Sequence, residues 1–163
     1  MSVLALPDEK DLPNFGWMTP WLCRGGHPNP AGFRWLGDHG IKAIVNLRDD
    51  DDTERLLGAS CGFIPVHVPV ADGTAPSDEQ AVQWLALCAR VECRPLFVHC
   101  RGGKGRTSTF CMLVRLAQGW TLDDAMREAI ERFEFDPAAD PDQVAFLMRW
   151  CSRLAGTRQP IYD

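Results

Sequence analysis

A short apolar run, Pro95-Leu96-Phe97-Val98, breaks into a segment with glycines at 102, 103 and 105, and a second apolar run follows at Phe110-Cys111-Met112-Leu113-Val114. That order reads as a buried strand, a Gly-rich turn and a buried helix. A turn of this kind sits at the carboxyl edge of a sheet, where α/β folds bind ligands. Its backbone N–H groups converge on one point, and the helix dipole adds positive potential there. Two further residues give the turn chemistry. Cys100 ends the strand, and Arg106 opens the helix six positions later. A guanidinium can fork two oxygens of a phosphate. A thiol at a helix N-terminus beside cations is favoured as thiolate. Segment 100–106 therefore reads as an anion cradle with a nucleophile at its base. Arg101, Gly102, Gly103, Lys104, Gly105 and Arg106 are its expected phosphate-binding residues.

Other segments alternate in the same way. Leu22-Cys23-Arg24 is a short strand before the turn Gly25-Gly26-His27-Pro28, and Asn29-Pro30 caps a helix stopped by Gly40. Ile41–Leu47 is a buried strand. A polar segment from Asp49 forms a short helix to Gly58, and Phe63–Val68 is a strand. Ser77 and Gln80 form a capping box for a helix with Val82, Leu85 and Ala89 inward. Thr121 caps a helix with apolar Leu122, Ala125, Met126, Ala129, Ile130 and Phe133. The last helix opens at Asp140-Pro141, with Val144, Leu147, Met148, Cys151 and Leu154 on one face. Strands alternating with helices predict an α/β fold, a central mostly parallel sheet flanked by helices.

Composition narrows the function classes. The chain of 163 residues carries a net charge of −5, so its bulk surface favours neither nucleic acid nor anionic membrane. Seven cysteines at irregular positions, several within apolar runs, point to a reducing, cytoplasmic setting. No paired CxxC motif signals structural zinc. Met1 to Pro13 has no long apolar stretch, so no signal peptide is expected, and no run reaches the roughly 18 residues of a membrane span.

The residues His99-Cys100-x5-Arg106-Thr107 resemble the active-site loop of the protein tyrosine phosphatase superfamily, of the cysteine-dependent dual-specificity and atypical dual-specificity kind. Ser108 departs from the glycine usual there. The resemblance extends more weakly through Asn14-Phe15-Gly16, Leu22 to Pro28 and Gly40 to Arg48. It implies a lead-in over 1–13, one phosphatase catalytic domain over 14–156 and a tail over 157–163. It also implies a protein tyrosine phosphatase-like sheet.

Thiolate attack on phosphorus needs an acid for the departing oxygen. Asp72 is the candidate, since Val68-Pro69-Val70-Ala71-Asp72-Gly73 looks like the family's acid loop; a plain turn aspartate before glycine is the alternative. The expected cycle forms a phosphocysteine on Cys100, with Arg106 and the loop N–H groups holding the equatorial oxygens. Asp72 protonates the leaving group and then activates water. Thr107 hydrogen-bonds the sulfur, and His99 organises the loop. The cycle requires no metal and no cofactor. His67 reads as structural, and His27 and His39 as surface residues. The Asp49–Asp52 run reads as solvated surface, or else as a rim that repels acidic substrates or meets a basic peptide. The expected substrate is phosphotyrosine, with phosphoserine or phosphothreonine added, in a protein, and the expected enzyme is a monomer. Arg101 and Lys104 resemble the paired basic residues of phosphoinositide 3-phosphatases, which keeps an inositol phosphate or phosphoinositide substrate as the alternative. A non-catalytic phospho-ligand binding module is the third.

Overall fold

Alternating side chains on the central strands feed two cores, one on each face of a single sheet. The computed structural model describes residues 4–155 and 157–163; the expected domain boundary at 156 and the first three residues of the lead-in lie outside them. Five strands, β1 (Gly16–Thr19), β2 (Leu22–Gly25), β3 (Ala43–Arg48), β4 (Ile64–Val70) and β5 (Leu96–His99), form a sheet in the order β1-β2-β5-β3-β4. All neighbours pair in parallel except β1 and β2. The mostly parallel sheet expected from the sequence is what forms. Strand β1 was not foreseen. Its four residues pair with β2 as an antiparallel ribbon across Pro20 and Trp21, and that pairing has no local periodic signal.

Leu96 and Val98 of β5, with Ala43, Val45 and Leu47 of β3, enter the larger core. That core holds α3 (Asp78–Cys88), α4 (Gly105–Ala117), α5 (Leu122–Phe133) and α6 (Pro141–Leu154). Phe97 and Ile44 point the other way, against α1 (Pro30–Asp38) and α2 (Glu54–Cys61). Helix α4 is buried from Arg106 to Ala117, as a central helix enclosed by others must be.

Local signals set the helix ends. The Asn29 side chain accepts from Gly32 N at 2.8 Å. Ser77 and Gln80 close their capping box at 3.1 and 3.0 Å. Helix α2 does not stop at Gly58 but runs to Cys61, ending on Gly62 at φ 77°. Gly58 is a packing glycine, since a Cβ there would meet Pro65 at 2.8 Å. The expected helix faces pack on the core, with one residue of each left exposed at its edge. On α6 the buried residues are Gln143, Phe146, Leu147 and Trp150, whereas Met148 is exposed. The Trp150 indole donates to Asp78 Oδ1 at 3.0 Å, which turns that face toward the start of α3. Val82 of α3 and Ile130 of α5 are also exposed.

Both termini are fastened. Leu12, within the lead-in, is fully buried in the second core, and Pro13 O accepts from Gly26 N at 2.7 Å. In the tail, Tyr162 is buried and its hydroxyl donates to Leu85 O at 2.9 Å.

Candidate functional site

The cradle lies between the end of β5 and the start of α4, at the sheet's carboxyl edge. Cys100 leaves the strand with its side chain buried. Thr107, in the first turn of α4, donates its hydroxyl to Cys100 Sγ at 3.0 Å. Arg106 is buried as well, and its Nη1 donates to Val70 O at 2.8 Å. Its Nε is buried without a partner. Such a donor carries a desolvation cost that an incoming acceptor would remove.

Backbone shape follows from glycine. Gly103 has φ 73°, and a Cβ there would lie 2.5 Å from Gly25 C and 2.6 Å from Gly26 N. The β2 turn and the cradle are therefore in direct backbone contact, and only glycine fits between them. His27 N donates to Arg101 O at 2.9 Å across the same seam. Two side chains lock Gly103 O from outside. Asn14 Nδ2 donates to it at 2.9 Å, and Arg24 Nη2 donates to the same oxygen. Arg24 Nη1 also donates to Ser108 Oγ at 3.0 Å, so serine at 108 is a built partner. Arg24 is fully buried, stands 3.7 Å over the Phe133 ring, and has its pKa lowered by that burial. Neither Asn14 nor Arg24 was foreseen as part of the site. Arg24 sits in a strand with no periodicity that marks it.

Asp72 lies in the turn after β4, exposed, with Oδ1 at 3.8 Å from Arg106 Nη2. Its loop is tethered behind: Gln143 Nε2 donates to Thr74 O at 3.2 Å, and Thr109 Oγ1 donates to Gln143 Oε1 at 2.7 Å. Asp140 stands nearby; a Cβ on Gly105 would meet its Oδ2 at 3.3 Å. Burial, then the charges of Asp72 and Asp136, push the Asp140 carboxyl up from its ordinary value.

The Asp49–Asp52 run is not simply solvated surface. Asp49 Oδ1 is 3.7 Å from Arg106 Nη1, and Asp50 Oδ2 accepts from Arg101 Nη2 at 2.9 Å. Asp51 pairs with Arg48 at 3.5 Å and Asp52 with His67 at 3.4 Å. Hydrogen bonding from Arg48 holds the exposed Asp50 at about 2. On the other rim Lys104 Nζ is 3.3 Å from Glu134 Oε2. Both flanking cations of the cradle thus have carboxylate partners.

His99 is fully buried, with Nδ1 3.0 Å from Cys100 O and Nε2 2.5 Å from Glu54 Oε1. His27 is not the surface residue expected. Its ring lies 5.3 Å from that of His99 and edge-on to Phe33, and burial, followed by the His99 and Arg48 charges, lowers its pKa. Glu54, just beyond the Asp49–Asp52 run, was not singled out from the sequence.

Residues 9–144 match the family model described as DSP-PTPase phosphatase fused to NAD+ Kinase. The chain is 32% identical over 92 residues to NAD kinase 2, chloroplastic, of Arabidopsis thaliana, covering 52% of this chain and 9% of that protein. It is 27% identical over 136 residues to the inositol diphosphatase DSP4 of the same plant, covering 80% and 68%. The crystal structure of Pseudomonas aeruginosa TpbA superposes with a TM-score of 0.75 at 24% identity, covering 91% of each chain, and shares the fold. The chain spans only 9% of the plant NAD kinases and 54% of a Yarrowia lipolytica tyrosine-protein phosphatase. With 136 of its 163 residues inside the match, the chain belongs to the DSP-PTPase phosphatase family.

Proposed function

We propose that this chain hydrolyses phosphate monoesters of phosphotyrosine in proteins, with phosphoserine and phosphothreonine as further substrates, through a phosphocysteine intermediate. The carrying observation is the convergence at one sheet edge of a buried cysteine sulfur bonded by Thr107, a buried arginine with an unpartnered Nε, and an aspartate 3.8 Å from that arginine.

In the first step Cys100 Sγ attacks phosphorus in line, and the P–O bond to the substrate breaks as the P–S bond forms. Arg106 and the N–H groups of 101–106 hold the three equatorial oxygens. Asp72 gives its proton to the departing oxygen. In the second step water attacks phosphorus, Asp72 takes a proton from it, and the thiolate leaves, eased by the Thr107 hydroxyl. His99 holds the cradle through the Cys100 carbonyl. Cysteine usage supports a reducing, cytoplasmic setting for this thiolate chemistry.

The acidic rim supports a peptide substrate. Asp50 and Glu134 neutralise Arg101 and Lys104, and Asp49 and Asp72 flank Arg106. A polyphosphate would bring further negative charge against those carboxylates. The inositol phosphate reading is favoured by the likeness to two Arabidopsis thaliana inositol diphosphatases, DSP4 and DSP3, and by the fold shared with the S. cerevisiae PP-IP phosphatase SIW14.

The test is phosphate release, comparing kcat/KM for a phosphotyrosine peptide with that for an inositol polyphosphate. Peptide preference is expected; inositol preference would replace the peptide reading. Cys100→Ser should bind phosphopeptide and turn over none. Binding without turnover by the unaltered chain would leave only the phospho-ligand binding module.

A further inference from the structure

We propose that His27, Glu54 and His99 form a divalent transition-metal site of the zinc type. One ligand atom from each residue lies within 4.8 Å of the other two. The three come from separate elements: the turn after β2, the start of α2 and the end of β5.

Proton positions make the cluster unusual. The Cys100 carbonyl can only accept, so His99 Nδ1 carries a hydrogen toward it. In a neutral ring Nε2 is then a lone pair, and it faces a carboxylate oxygen 2.5 Å away, where the angle gives no hydrogen bond. Two lone pairs at that distance need a positive charge between them. Glu54 is 3% exposed, and neither of its carboxylate oxygens has a hydrogen-bond donor. A proton on His99 would meet the charge need of Glu54 alone.

The third residue distinguishes a metal from a proton. His27 Nδ1 is buried with no partner, and its ring stands against His99. A proton shared by His99 and Glu54 leaves His27 without a role, whereas a metal ion takes a ligand atom from each of the three residues. Two imidazoles and one carboxylate are a recognised zinc set, at about 2.0–2.2 Å from the ion. A ligating histidine commonly donates its other N–H to a backbone carbonyl, as His99 does to Cys100. Ligand distances of that size require the Nε2–Oε1 pair to open by roughly an ångström. Of the three ligands, His27 also lines a cavity of about 330 Å³, together with Phe33, Arg34, Thr53, Leu57 and Cys61.

Zinc here takes no part in the phosphatase cycle. It ties α2 and the β2 turn to the strand that carries Cys100, so binding should raise the unfolding temperature. This His/Glu set is of a kind that cysteine spacing cannot reveal.

The test uses Zn²⁺ and Co²⁺ alone with the Cys100→Ser chain, which removes the reactive thiol. One ion per chain is expected, with a rise in unfolding temperature and a Co²⁺ spectrum lacking the thiolate charge-transfer band. His27→Gln, checked for an unchanged fold in the metal-free state, removes a direct ligand and should lose most of its zinc affinity. No stoichiometric ion, a thiolate band, or undiminished affinity in His27→Gln would each overturn the site. A Glu54→Gln chain that folds should behave as His27→Gln does; full affinity there would overturn it too.

Discussion

Arg106 and Asp72 face each other across the mouth of the cradle, Nη2 to Oδ1 at 3.8 Å, the arginine buried and the aspartate 87% exposed. An exposed carboxyl beside the phosphate-binding guanidinium is placed to follow a substrate's leaving oxygen. Asp72→Ala should lower kcat on an alkyl phosphate by roughly 10²–10⁴. On an aryl ester with a good leaving group the loss should be much smaller. Full rate on the alkyl ester would remove Asp72 from the acid role.

Thr107 tests the other end of the cycle. Its hydroxyl donates to Cys100 Sγ at 3.0 Å. A hydrogen bond to a charged group contributes about 1.5–3 kcal/mol, so Thr107→Ala should slow thiolate departure about ten- to a hundredfold. The phosphocysteine should then accumulate. A rapid burst of aryl alcohol ahead of slow turnover is the expected trace; no burst would mean that Thr107 does not assist the second step.

Gly103 and Arg24 test the cradle's backbone. Gly103→Ala would push a Cβ into Gly25 and Gly26 while holding φ at a value disfavoured for alanine. Phosphate binding should be lost while most of the sheet survives, readable by vanadate affinity beside circular dichroism. Arg24→Met removes the buried donor to Gly103 O and Ser108. A stability loss of about 1.5–3 kcal/mol is expected, with weaker vanadate binding. Equal vanadate affinity in both variants would show the locked turn to be irrelevant to the cradle.

The contrast between Gly103 and Arg24 also shows what a sequence makes legible. The cradle, the Asn29 cap and the Ser77–Gln80 capping box are local, so spacing alone exposes them. Arg24 reaches Ser108 across 84 positions, and Arg101 reaches Asp50 across 51. No periodicity encodes such pairs. His27 reads as a surface residue for the same reason, because burial is set by the elements that close over it. The expected face of α6 packs on the core except at Met148, and sequence reading missed that Phe146 and Trp150 widen that face, Trp150 reaching Asp78 on another helix.

Asp140 gives a pH-dependent outcome. Its carboxyl is pushed up by burial and by Asp72, so the folded state prefers it protonated. The sign follows: the folded value lies above the unfolded one, and Asp140 weakens the fold as pH rises through the folded value. It caps α6 without a side-chain hydrogen bond. Asp140→Asn should therefore raise Tm at neutral pH, and the gain should vanish as pH falls to the ordinary carboxylate range. A gain that persists in acid would point to a cause other than charge.

Asp50 decides between substrates. It holds Arg101 at 2.9 Å, and Arg48 keeps it ionised down to about 2, so Arg101 is neutralised throughout the working pH range. Both groups are well exposed, so the pair contributes little to stability. Asp50→Asn should leave Tm nearly unchanged and free the Arg101 charge at the rim. Activity on an inositol polyphosphate should then rise several-fold relative to a phosphotyrosine peptide, most clearly at low salt, where screening is weak. Lys104 and Glu134, at 3.3 Å, are the matching pair on the opposite rim. Glu134→Gln should shift the preference in the same direction, and the double variant further. If neither change moves the ratio, rim charge does not set substrate choice, and the shape of the mouth around Asp72 becomes the determinant.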